Sequence, residues 1–161
     1  MAVIVAYGLG ATSVHATSDT VVLARVQTGG SGTGTTTQEF VNLYNNSATD
    51  VDVSNWCLKY TDYNDANPSL LTCFSVSPGM DQVHMPAQSA SLIISPSYVP
   101  PAGVASTAIY ATTSTNISST RGHVTLFDST GAIIDRLAWD NGASTPPKYP
   151  ETHAAVAPSG G

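Results

Sequence analysis

Short apolar runs follow one another down the chain, VVLARV, EFVNLYN, VDVSNWCLKY, LLTCFSV, SASLIIS, TAIYATT, HVTLFD and AIIDRLAW, with turn-forming residues between them. They are rich in β-branched and aromatic residues, which suit a pleated, half-buried surface. A strand sends alternate side chains to opposite faces, whereas an amphipathic helix needs apolar residues at i, i+3 and i+4. No stretch of useful length has the helical period. Many short strands separated by polar turns predict an all-β sandwich or barrel, with seven to nine strands between about residues 21 and 141. The clearest hairpin is HVTLFD-STG-AIIDRLAW, in which Gly131 is available for a left-handed turn position.

At 161 residues the chain is long enough to bury a core as one domain. Charged residues make up 10% of it and the net charge is -6, so solubility rests on Ser, Thr and Asn as well as on charge. A duplex-binding surface needs clustered cations to displace counterions. The five basic residues, Arg25, Lys59, Arg121, Arg136 and Lys148, are scattered along the sequence. Nucleic acid is therefore not an expected partner, and anionic membranes are disfavoured for the same reason.

Residues 2–11 are apolar but too few to cross a bilayer as a helix, which needs about 20. They suit the apolar core of a secretory signal, with Val14-His15-Ala16 as a loose small-x-small cleavage site and no basic leader before it. The alternative is an N-terminal strand carrying Val3, Val5 and Tyr7. The expected organisation is a signal remnant or apolar segment at 1–20, a folded domain at 21–145 and a Pro/Gly-rich linker at 146–161. Export to the medium or the cell surface follows from the first reading, without stable membrane insertion of the mature domain.

Gly29 and Gly34 are spaced as in a phosphate-cradling loop, and Thr36 stands at the position of its metal-binding hydroxyl. The loop's lysine is replaced by Thr35. The run that follows is strand-like, so no helix N-terminus faces a phosphate. A plain connector between two antiparallel strands is expected.

Cys57 and Cys73 lie in two runs joined by a turn-rich stretch. Bridged, they close a loop whose constraint contributes about 3 kcal/mol for about 15 residues; the alternative is two buried thiols. No zinc-type spacing is present. In that stretch Asp62, Asn64 and Asp65 bring hard oxygen ligands close together and make residues 62–67 the candidate calcium site. The glycine and terminal glutamate of an EF-hand are missing, and Asx-rich turns look alike without an ion.

Catalytic motifs are weak. Residues 128–131, DSTG, differ from the aspartic-protease D-[ST]-G by the inserted Thr130 and have no second copy, so a hairpin turn is expected. Asp135 is placed by alternation on the face of Ile133 and Leu137, where a carboxylate needs a backbone amide, a turn or a cation such as Arg25 or Arg121. His15, His84, His123 and His153 show no metalloprotease spacing. Trp56, Tyr60, Tyr63 and Tyr98 include candidates for rings that stack on a sugar.

EFVNLYN followed by VDVSNW resembles the E-[FW]-[IV]-E-L-Y-N and V-D-[LI]-S-G-W motifs of the lamin tail domain family. GHVTLFDSTGAIIDRLAW is similar to that family's closing hairpin, and MPAQSASLIIS to its small-residue turn before an apolar strand. The likeness spans about residues 21–141. Asn42 replaces the family's second glutamate and Asn55 its glycine. The resemblance implies an immunoglobulin-like β-sandwich that is not an enzyme and that serves binding or attachment in an exported or cell-surface bacterial protein, with a protein or carbohydrate partner. The alternatives are an accessory domain of a multidomain secreted hydrolase or nuclease, or a small exported hydrolase built from His123, Asp135 and loop carboxylates.

Overall fold

The alternation of apolar and polar residues is realised as two antiparallel-dominated sheets packed face to face. The structure, a computed structural model, describes residues 20–28, 39–62, 68–94, 98, 109–111, 117–118, 120–140 and 155–156, with 109–111, 140 and 155–156 described by their backbone. Its strands are β1 (Val21–Gln27), β2 (Phe40–Asn45), β3 (Val51–Asp52), β4 (Cys57–Asp62), β5 (Ser69–Cys73), β6 (His84–Met85), β7 (Ala90–Ile94), β8 (Ile109–Ala111), β9 (Arg121–Phe127), β10 (Ile133–Asp140) and β11 (Ala155–Val156). A four-stranded sheet has the order β1-β2-β7-β8, a five-stranded sheet the order β11-β10-β9-β4-β5, and β3 pairs with β6 in a small ribbon. This is an immunoglobulin-like β-sandwich, with no helix among the described residues.

Val21, Leu23, Val41, Leu43 and Ile93 from the four-stranded sheet meet Leu58, Tyr60, Leu71, Val124, Leu126 and Trp139 from the five-stranded one. Fully burying each large apolar side chain contributes about 1.5–3 kcal/mol, so this layer is the main source of cohesion. Ten of the strands fall between residues 21 and 141, above the expected seven to nine, for two local reasons, and β11 lies beyond them. VDVSNWCLKY is broken by a turn in which the Trp56 amide donates to the Val53 carbonyl at 3.0 Å, and this separates β3 from β4. His84–Met85, which carries no strand signal of its own, pairs with β3 across Asp52↔His84 and Val51↔Met85.

The hairpin follows the sequence expectation. Asp128 Oδ1 accepts from the Thr130 amide at 2.8 Å, the Thr130 hydroxyl at 2.7 Å and the Ala132 amide at 2.9 Å. Gly131 takes φ 86°, the left-handed region that a Cβ disfavours. Those hydrogen bonds, that from the Thr130 side chain first, hold the exposed Asp128 carboxyl below its ordinary range. DSTG is a turn.

Cys57 and Cys73 stand opposite each other in the β4–β5 ladder and are joined, S–S 2.01 Å with Cα atoms 4.1 Å apart. The bond closes a separation of 16 residues and ties edge strand β5 to β4. Replacing both cysteines with alanine is expected to lower unfolding stability by about 3 kcal/mol in the chain-entropy account. Urea midpoints of the variant and the parent check this, and coincident midpoints would remove the bridge as a stabilising element.

Candidate functional site

Buried polar groups are expensive unless bonded, so their partners reveal which side chains are available for chemistry. Asp135 is 2% exposed. Its Oδ2 accepts from the Leu23 amide at 2.7 Å, across the sandwich and 112 residues away in sequence, and its Oδ1 accepts from the Arg136 amide at 2.9 Å. Both strands carry a bulge at this point, between Leu23 and Arg25 in β1 and between Ile133 and Asp135 in β10. A bulge frees an amide from its ladder, and the carboxylate collects one from β1 and one from β10. The backbone-amide expectation for Asp135 holds. The expectation that it shares a face with Ile133 does not, because the bulge shifts the register and leaves Ile133 49% exposed.

A second cluster ties residues 117–118 to both sheets. Glu39, 3% exposed, accepts from the Ile117 amide at 3.0 Å. The Tyr60 hydroxyl accepts from the Ser118 amide at 3.1 Å, and Trp139 Nε1 donates to the Ser118 carbonyl at 2.9 Å. The two rings lie 6.0 Å apart and nearly parallel. Gly122 admits this closeness: a Cβ there would meet Tyr60 at 2.7 Å, the Thr61 carbonyl at 3.0 Å and Trp139 at 3.1 Å. The sequence reading missed this cluster, since Ile117 stands alone among polar residues with no strand pattern to mark it.

Burial raises the Glu39 carboxyl above its ordinary value, against a smaller lowering by the Ile117 amide. A raised carboxyl contributes stability that is complete below its unfolded value, about 4.3, and is lost as pH rises through the folded value. Glu39→Gln keeps an oxygen for the Ile117 amide without the buried charge. It is expected to be more stable than the parent at pH 7, with the gap closing toward pH 4. Denaturant midpoints at both pH values measure it; a less stable variant at pH 7 would mean that the charge itself is needed.

Asn45 is fully buried and organises residues 45–50 and 85–86. Its Nδ2 donates to the Thr49, Met85 and Pro86 carbonyls at 2.9, 2.9 and 3.0 Å, and its Oδ1 accepts from the Ser47 amide and hydroxyl at 2.9 and 2.7 Å.

The structure does not bring together His123 and Asp135, the two residues of the hydrolase reading. His123 pairs with Ala138 and Thr61, and Asp135 with Leu126. Residues directly opposite share a face and successive residues alternate. Asp135 and Leu126 therefore face the core between the sheets, while His123 and Ala138, themselves buried, lie on the opposite face of the five-stranded sheet, which stands between them. His84 is in the separate ribbon, opposite Asp52. Asp62 ends β4, while Asn64 and Asp65 lie outside the described residues. No group of three or more His, Cys, Asp or Glu side chains suited to a metal occurs among the described residues. Of the candidate sugar-stacking rings, Tyr60 is core, Trp56 packs against the core, Tyr98 meets Phe40 edge-on at 5.8 Å, and Tyr63 is outside the described residues.

What the surface offers is an open groove of about 250 Å³ lined by Ser75, Ser77, Met80, Gln82, Val83 and His84. The turn at residues 77–80 raises its rim: the Met80 amide donates to the Ser77 carbonyl at 3.0 Å, Pro78 precedes Gly79, and Gly79 has φ 86°. Pro followed by a positive-φ glycine is a rigid type II arrangement. It holds Met80 64% exposed over hydroxyl, amide and imidazole groups.

A family model for the lamin tail domain matches residues 15–141, the whole sandwich from β1 to β10. The chain belongs to the lamin tail domain family. No curated protein matches it. As a lamin tail domain it is an immunoglobulin-like module of a non-catalytic family. Its two departures from the family motif now have structural meanings. Asn55, at the glycine position, has φ 61° in the turn before β4, and asparagine is among the few residues that tolerate that region. Asn42, at the glutamate position, leaves its buried Oδ1 without a hydrogen-bond partner among the described residues. A lamin tail domain with the longer glutamate there would reach further across the outer face of the sheet.

Proposed function

We infer that this lamin tail domain is a binding or attachment module of a bacterial protein that is secreted or held at the cell surface, and that it takes a protein or carbohydrate partner. The observation that carries the reading is the commitment of its buried polar side chains. Glu39, Asn45 and Asp135 are each held by main-chain groups that would otherwise be unsatisfied, and none of them reaches the surface groove. Recognition is left to exposed groups, among them Met80 with its hydroxyl, amide and imidazole neighbours in the groove. A mixed apolar and polar concavity suits either an extended side chain or a sugar ring. The Cys57–Cys73 bridge supports an oxidising compartment.

The test immobilises the full chain and probes it with extracellular protein fractions and a glycan array, beside a Met80→Asp, Gln82→Ala variant of the groove. Retention of a defined protein or glycan that the variant loses is the expected result. Equal retention by both would move the site away from the groove. Hydrolysis of an ester, glycoside or phosphodiester by the purified chain, abolished in His123→Ala, would replace the reading with an enzymatic one.

A further inference from the structure

The two sheets do not guard their edges equally. On β10 the Arg136 amide donates to Asp135 Oδ1 at 2.9 Å, beside the bulge. That bulge breaks any flat template for a new strand. The same carboxylate takes the Leu23 amide on the β1 edge. Beyond Arg136 the β10–β9 register is regular to Asp140, and alternate amides of a strand face the same side. Ala138 and Asp140 therefore share the direction of the Arg136 amide, without its guard. That unguarded half is where β11 pairs, in parallel, through Trp139↔Ala155 and Asp140↔Val156.

We propose that the β10 edge from Leu137 to Asp140 is a docking edge for an extended, uncharged peptide of a partner protein, which adds in parallel, and that the chain's own Ala155–Val156 is the occupant it displaces. The seat is defined by the segment already on it: small and β-branched residues in extended form, without charge at the paired positions. Strand addition draws its affinity from main-chain hydrogen bonds. Among the described residues the native occupant makes two residue pairs, and it follows β10 in sequence after residues 141–154. That connector has the dozen or more residues a parallel crossover requires. The cis segment thus competes with a partner at a local concentration set by its tether.

The proposal rests on the reading of the domain as a binding module. Its test uses the full chain and a variant, Ala155→Pro with Val156→Pro, that cannot donate the pairing amides. The probe is a fluorescent nine-residue peptide copying residues 151–159, ETHAAVAPS, with a control carrying the same two prolines. By anisotropy the variant is expected to bind the peptide at least tenfold more tightly than the parent, and the control peptide is expected not to bind. Amides of residues 138–140 should exchange faster in the variant and be protected again by the peptide. Equal binding to both chains, binding of the proline peptide, or no binding at millimolar peptide would overturn the docking edge. Groove-dependent retention of a partner in that event would leave the binding-module reading standing.

Discussion

Asp135→Ala is expected to cost about 4 kcal/mol of unfolding free energy. The substitution removes one acceptor from two main-chain amides at once, Leu23 at 2.7 Å and Arg136 at 2.9 Å. Hydrogen bonds to charged groups contribute about 1.5–3 kcal/mol each, and a buried donor left unmet costs about 1–3 kcal/mol. No other carboxylate is bonded to the Leu23 amide, and β1 forms the edge of its sheet. Asp135→Asn keeps one acceptor oxygen and is expected to lose about half as much. Denaturant unfolding of the three proteins checks the order, parent above Asn above Ala. An alanine variant within 1 kcal/mol of the parent would show that the two edges are held by the core alone.

Gly122→Ala is expected to be the most damaging added methyl among the described glycines, at about 3 kcal/mol. Overfilled cores usually lose about 1–3 kcal/mol because neighbours shift a little. Here each neighbour is pinned. The Tyr60 ring, 2.7 Å from the added Cβ, is held by its hydroxyl at Ser118; the Trp139 ring at 3.1 Å is held by Nε1 at the Ser118 carbonyl; and the third contact, at 3.0 Å, is the Thr61 backbone. Relief requires giving up a hydrogen bond or opening the β4–β9 ladder. At about 4–8 °C per kcal/mol for a domain near 100 residues, the melting temperature should fall by more than about 10 °C. A changed Trp139 emission spectrum should accompany it. A fall of less than a few degrees would mean that the ring stack is softer than its bonds indicate.

The strands were readable because each carries its own period of two, and the 128–131 turn because Asp and Gly act on neighbouring residues. Partners of long sequence separation left no such mark. Ile117 is a single apolar residue whose role depends on Glu39, and His84–Met85 becomes a strand only because Val51–Asp52 lies beside it. Bulges defeat simple alternation most directly. One extra residue between Ile133 and Asp135 turns the expected shared face into an exposed isoleucine and a buried aspartate. Regular alternation from Asp135 to Ala138, which stands opposite His123, puts His123 and Asp135 on opposite faces of the sheet. Among the described residues, the candidate groove too is assembled by a turn and a ribbon that no local pattern announces.

A module that attaches one body to another is loaded from its ends. On the attachment reading proposed above, tension would unravel the sandwich from its terminal strands, while the covalent bond keeps Cys57 and Cys73 together. When the sandwich is pulled open, the 16-residue separation stays closed, and at no more than about 3.6 Å per residue this withholds roughly 55 Å of extension. Reducing the bond lengthens the released thread by that amount, so for a domain used as an attachment the redox state of the surroundings would set its reach.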